Sequence, residues 1–314
     1  MLRRYNSLKK FRPVEAIVVV LLCLFLLAVI PVACRKARFD ASRATCAENL
    51  SVIGKAMMSY ASDHDGKLPR SGGSTSYYGD TPIWRGANRF EAFDLKPDGS
   101  GGRANISSCF YLLVKYADVA PKFFVCPGDW GTKEFRLADA DAGDKKLVDL
   151  WDFGRVAFQH CSYSYHMAFG FHPLTTACEP GMAVAADRNP WIASRAWKRF
   201  PALIPKVFPG NFSPDGGREA VKAGNSLSHQ REGQNVLFLD NHVSFEERSF
   251  CGVNDDNIYT FWAGADIRIG RPPAPLGEPM DKTDSILIHD LPQVAPIPFE
   301  EIKKMKGPKE LGIN

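Results

Sequence analysis

His229, Asp240 and His242 are residue types that bind a divalent transition metal, two imidazoles and one carboxylate. Two alternating apolar runs, 235–239 and 242–245, flank Asp240-Asn241. A two-residue Asp-Asn loop suits a tight hairpin, because both types tolerate positive φ. Such a hairpin brings His229 near the turn, where the three residues offer a site for zinc or another divalent ion. The structural alternative has Asp240 capping the turn and His229 bonding the loop backbone. Alternation alone does not settle whether Asp240 and His242 share a face. A second oxygen-rich run, Asn254-Asp255-Asp256-Asn257, offers hard ligands, with Asp255 and Asp256 carrying the charge for calcium. EF-hand spacing is absent, and a solvated turn is the alternative. Asp187 ends the apolar run 182–186, a position where catalytic acids occur, but the adjacent Arg188 is expected to hold it in a structural pair. His160, His166 and His172 fit neither a zinc helix nor a helical pair and read as half-buried core residues. No nucleophile elbow, P-loop or dinucleotide-type glycine pattern occurs. The chain is therefore read as not an enzyme, with no cofactor beyond these zinc and calcium readings.

Eight cysteines add redox chemistry. Cys23 lies in an apolar run and Cys34 at its edge; Cys46, Cys109, Cys126, Cys161, Cys178 and Cys251 lie beyond it. An even number in an oxidising compartment permits disulfides, with the pairing open. No CxxC is present, so a zinc ribbon or thioredoxin-type site has no support. The alternative is buried free thiols, Cys46 above all. An aromatic insert containing Tyr77, Tyr78 and Trp84, with Phe90 and Phe93 further on, offers a face for a glycan or a protein.

These residues need elements to hold them. Residues 16–34, AIVVVLLCLFLLAVIPVAC, are 19 residues without a charge. At about 1.5 Å per residue they reach nearly the thickness of a bilayer's hydrocarbon layer. Residues 1–43 hold nine basic and two acidic side chains, and the remainder thirty basic and thirty-three acidic. The positive charge thus flanks one segment while the body is slightly acidic. That excludes a general nucleic-acid binder, which needs a basic face on its folded domain. Five basic residues precede the segment and favour a cytoplasmic N-terminus. The readings are a retained anchor, a cleaved signal ending near Ala33, or a signal placing lipid on Cys34. The pattern over 37–62 favours the anchor. That stretch has no break, and Cys46, Leu50, Ile53, Met57 and Tyr60 recur at spacings of 4, 3, 4 and 3. One rod is expected, stopping at Asp65-Gly66.

The sequence resembles the type IV pilin-like, or pseudopilin, proteins. Phe11, Glu15 and Pro31 match the family's Phe after a basic leader, its Glu four residues later, and its Pro near the end of the apolar run. The stretch CAENLSVIGKAMMSYASDHDGKLP resembles the post-membrane helix of a planctomycete-type branch of that family. Phe124-Val125-Cys126-Pro127 resembles its FxCP segment, and 225–245 its H-x9-DG element, here with ten residues between His229 and Asp240 and Asn241 in place of the Gly. CGVNDDNIYT fits its terminal segment. The resemblance implies a structural role in a filament or a type II secretion or type IV pilus-like machine. Glu15 and Phe11 would serve assembly, Glu15 through a neighbouring subunit's N-terminal amine. Lys10 stands where the leader normally ends in Gly, so the alternatives are an uncleaved, permanently anchored relative and a processed chain that begins at a methylated Phe11.

The expected organisation is a cytoplasmic basic leader (1–13), a transmembrane helix (14–34), its amphipathic continuation (35–65), an extracytoplasmic head (66–270) and a Pro-rich tail with little core (271–314), including a short helix near 299–305. Within the head, 70–105 reads as surface loops, 107–120 as a helix capped by Ser107 or Ser108, and 123–126, 162–171 and 182–186 as strands. The fold class is α+β: a long N-terminal helix packed on an antiparallel sheet, pilin-like, with loop insertions. The expected location is the cytoplasmic membrane in a single pass. The expected partners are the membrane and pilin-like subunits or secretion components, with no nucleic acid. The functional alternatives are an anchored binding module for a glycan or protein, and a metal-dependent hydrolase at His229, Asp240 and His242.

Overall fold

The computed structural model of the chain describes residues 13–79, 81–192, 211–271 and 278–290. Phe11, the leader and the expected helix at 299–305 lie outside them. The fold is mixed helix and sheet. Helix α1 runs unbroken from Pro13–Ser62, fifty residues with Pro31 inside it. Its two halves differ in what covers them. From Val14 to Val32 the large apolar side chains are 45–70% exposed. Beyond residue 45 the helix is packed, and Cys46, Leu50, Ile53, Met57 and Tyr60 are all buried, as their spacing predicts. Burying Leu50, Ile53 and Met57 contributes about 1.5–3 kcal/mol each. The helix ends where Asp65 and Gly66 turn left-handed, with φ of 54° and 74°.

α1 lies across a five-stranded antiparallel sheet. Its strands are β3 (Tyr163–His166), β4 (Ala183–Asp187), β5 (Gln234–Phe238), β6 (Val243–Glu246) and β7 (Leu287–Ile288), in the order β6-β5-β4-β3-β7. The helix meets β5, β6 and β4 on one face. On β5 the alternation turns Asn235 and Leu237 toward the helix side and Val236 and Phe238 to the other, where Ile258 and Tyr259 cover them. A register shift between Ala183 and Ala185 places both Val184 and Ala185 in the helix-side core. The β5–β6 turn is longer than the expected two residues. The Phe238 N–H donates to the His242 carbonyl, and Asn241 takes a φ of 72°, so three residues form the loop, with Asn241 at the left-handed position.

α3 (Ile106–Tyr116), which comes after the short helix α2 (Arg89–Phe93), sits beside α1. Its cap is Asn105, not Ser107 or Ser108: the Asn105 side chain accepts from the Ser108 N–H, and the Ser108 hydroxyl accepts in return. Its Phe110 and Tyr111 pack with Phe124, Phe153 and Phe135 in tilted and edge-on ring pairs. Residues 123–126 are not a strand. Pro121 starts a 3-10 turn, Pro121–Phe124, which lowers the chain onto α1. Within 70–105, Tyr77–Tyr78 (β1) pairs in parallel with Arg103–Ala104 (β2).

The tail reading fails over 284–290. β7 is the sheet's edge, pairing Tyr165 with Ile288 and His166 with Leu287, and Ile286, Leu287 and Ile288 are buried. Asp290 then accepts the Ile106 and Ser107 N–H groups at 2.8 Å each, closing the start of α3 with a carboxylate. The composition around this strand is Pro-rich, and the strand itself spans two residues, so its sequence signal is slight.

Candidate functional site

The helix side of the sheet holds a buried group of four side chains with chemistry: Cys46, Cys126, Asp187 and His229. Each is at most 1% exposed. One potential ligand atom from each lies within 4.8 Å of all the others. Cys46 stands on the packed face of α1 and is joined to Cys126 by a disulfide, with Cα atoms 5.2 Å apart and 80 residues between them in sequence. One turn further along α1, the Asn49 side chain donates to the Val125 carbonyl at 2.9 Å and holds the loop that carries Cys126. The loop continues through Gly128, where a Cβ would meet the Ser228 carbonyl oxygen at 2.2 Å. This close approach sets the Cys126 loop against the His229 turn.

Asp187 is the last residue of β4 and faces the helix side. Its Oδ2 accepts the Asn235 backbone N–H at 2.7 Å and lies 3.2 Å from His229 Nε2. A carboxylate oxygen accepts, so in the tautomer with its proton on Nε2 the imidazole donates to Asp187, while Asn235 Nδ2 also faces Nε2 at 3.3 Å. His229 closes the 3-10 turn Leu227–His229, capped by Ser226, and Gln230 and Arg231 beyond it are left-handed. Its ring lies between Phe39 and Phe245, both edge-on at about 6 Å between centroids. Cys126 Sγ is 3.6 Å from the same Nε2. Asn235 Nδ2 reaches the Arg43 carbonyl and Asp187 Oδ2, which ties the cluster to α1. Asp187 Oδ1 and His229 Nδ1 are buried and have no hydrogen-bond partner among the described residues.

This arrangement is not a nucleophile–base–acid relay. A relay needs sulfur on one ring nitrogen and carboxylate on the other, and here both approach Nε2. The sulfur is also covered and spent in a disulfide. The group fits a closed, structural centre: two sulfurs, an imidazole and a carboxylate are a tetrahedral zinc ligand set once the sulfurs are thiolates.

The structure separates the residues grouped by sequence. β5 carries His229 and Asp240 to its two opposite ends. Asp240 and His242 remain together, exposed at the turn, with His242 Nδ1 against Asp240 Oδ1 and the His242 ring stacked on Phe238. That bonding holds the Asp240 carboxyl below its usual range, the backbone N–H of His242 contributing most. Asp255 ends a short 3-10 turn, whereas Asp256 is buried and accepts the Ser285 N–H at 2.8 Å. The two therefore do not face one another as a calcium pair. Arg188 does not pair with Asp187. Its guanidinium turns to Asp129, with Nε 3.2 Å from Oδ2, and to the carbonyls of Phe158 and Cys161. His166 is fully buried rather than half-buried, and burial lowers its pKa to about 4.

Of the other cysteines, Cys109, Cys161, Cys178 and Cys251 are unbonded. Burial pushes the Cys109 and Cys161 thiols up to about 12, which leaves them unreactive. Cys23 and Cys34 both lie within α1. The aromatic insert does not present one open face. Tyr77 is exposed, the Tyr78 hydroxyl donates to the His289 carbonyl, Trp84 packs against Phe135, and Phe93 is buried. Comparison with known protein families, with curated proteins and with solved structures gives no match.

Proposed function

We propose that the protein is a membrane-anchored structural subunit of pilin-like type, whose head is displayed outside the cytoplasm and whose long helix docks on neighbouring subunits. The observation that carries this reading is α1. One continuous helix leaves its apolar first half uncovered by the head and commits its second half to the sheet. That first half is long and apolar enough to cross a membrane. Five basic residues before it favour a cytoplasmic start, hence an extracytoplasmic head, and a disulfide in the head suits an oxidising compartment. Glu15, in the first turn of α1, sits where the apolar run begins. A carboxylate at that depth is costly in lipid, and a basic group of a neighbouring subunit is the partner this reading assigns to it in the assembly.

The test is the Glu15→Leu variant of the full chain in native membranes. Alkaline carbonate should leave both forms in the membrane pellet. Cross-linking between copies should fall several-fold in the variant. Extraction of the wild type by carbonate overturns the anchor, and unchanged cross-linking overturns the docking role of Glu15. Trp84 is half-buried against Phe135, and the exposed Asp240–His242 pair has lost His229, so neither the aromatic insert nor the turn histidine favours a second reading.

A further inference from the structure

We infer that the Cys46–Cys126 crosslink has a second closed state: after reduction, the two thiolates, Asp187 and His229 bind one zinc ion in the same place. A disulfide in an apolar core needs no acid and no imidazole beside it. Here a fully buried carboxylate and a buried imidazole flank the sulfurs, each with an atom lacking a partner among the described residues. An unpaired buried carboxylate oxygen is costly, and a divalent cation bound at Asp187 resolves that cost, while His229 Nε2, 3.6 Å from Cys126 Sγ, is the ring atom that reaches the ion. The four ligand atoms come from elements that the fold already holds in register: α1, the loop after α3, the end of β4 and the turn before β5.

The geometry requires little movement. The four ligand atoms lie within 4.8 Å of one another, against edges of roughly 3.3–3.8 Å between ligands at tetrahedral zinc distances of about 2.0–2.3 Å, so short side-chain movements bring them onto one ion. Freed sulfurs on one zinc stand roughly 3.8 Å apart at those bond lengths, a change that side-chain rotation supplies from Cα atoms 5.2 Å apart. All four positions are filled by protein, so the ion is structural and activates no water. Asn235, whose backbone N–H holds Asp187 Oδ2, becomes the outer partner that orients the carboxylate.

In the reduction, a dithiol reductant gives two electrons and two protons and closes to its own disulfide, while the Cys46–Cys126 bond breaks to two thiols. Zinc then displaces both thiol protons to solvent. The imidazole binds the metal through Nε2 in the tautomer that carries its proton on Nδ1. A newly made head that has not met an oxidant begins in the thiol state. In either state, α1 remains fastened to the loop after α3.

The test uses the full chain in detergent, reduced with a dithiol, desalted under inert gas and titrated with cobalt(II) and then zinc(II) alone. The reduced chain should take up one equivalent of cobalt, with the intense sulfur-to-cobalt absorption and tetrahedral bands of a thiolate site, and zinc should displace it. The unreduced chain should show no such absorption. His229→Ala should weaken zinc by more than the roughly 10- to 100-fold that loss of an outer partner costs, and Asn235→Ala should fall within that range. Affinity should fall as pH falls, because two protons are released. Absence of the absorption in the reduced wild type overturns the proposal, and so does equal binding by the unreduced chain. Unchanged affinity in His229→Ala also overturns it. If that variant does not fold, the wild-type cobalt spectrum decides alone, weak octahedral bands counting against the site.

Discussion

Individual carboxylates give the head a pH dependence of definite sign. Burial raises Asp256 to about 8 and Asp152 to about 7, the charge of Asp290 adding to the latter. A carboxyl with a raised pKa holds its proton in the folded state after the unfolded chain has released it. Its stabilising share is complete below the unfolded pKa and is lost as pH rises through the folded value. His166, lowered to about 4, acts oppositely but only below the ordinary histidine range. Urea midpoints of the head should therefore fall between about pH 5 and about pH 8, and Asp256→Asn should flatten that fall while keeping an acceptor for the Ser285 N–H. A wild-type midpoint that rises over this range would contradict the assignment. Neither acid could be singled out in the sequence for this role. Asp256 stands in a run that reads as a solvated turn, and only the return of residues 284–290 covers it.

Among the elements, α1 approaches the β5–β6 turn closely. Gly54 sits in mid-helix, where a glycine costs about 1 kcal/mol relative to alanine. It is kept because a Cβ there would stand 2.2 Å from Asn241 Oδ1 and 2.7 Å from a Leu237 methyl. Gly54→Ala, ordinarily a stabilising change in a helix, should instead destabilise the head by about 1–3 kcal/mol, measured by urea unfolding of the detergent-solubilised chain. The elements that alternation or helical spacing marks clearly were legible in the sequence: the packed face of α1 at spacings of 4, 3, 4 and 3, the apolar run of β4, and the two strands around Asp240. What escaped was set by register. Cys46 and Cys126 are 80 residues apart, and it is β4 pairing with β5 and α1 crossing both that bring Asp187 and His229 to them. No spacing rule along one segment reports such a meeting. The 3-10 turn at Pro121–Phe124 was missed for a local reason, since Phe-Phe-Val-Cys has strand-forming side chains but comes after a proline that starts a turn.

At the scale of the molecule, the chain divides into a rod and a head that share one helix. The head's sheet is closed by β7, far downstream of the strand it covers. Shortening the chain to end at residue 283 should leave β3 with a bare edge and remove the Asp290 cap of α3. Such a chain should remain in the membrane pellet yet form intermolecular aggregates in detergent, visible by size-exclusion chromatography; a monodisperse product would show that β7 is dispensable. The same feature bears on timing. A polypeptide emerges from its N-terminus, so α1 is available to a bilayer early, while β3 must wait for almost all the remaining chain before its outer neighbour exists. On the proposed anchored reading, the helix is laid down long before the head can shut, and the molecule is tethered while still open, a period when its thiols meet whatever oxidant, metal or chaperone surrounds them.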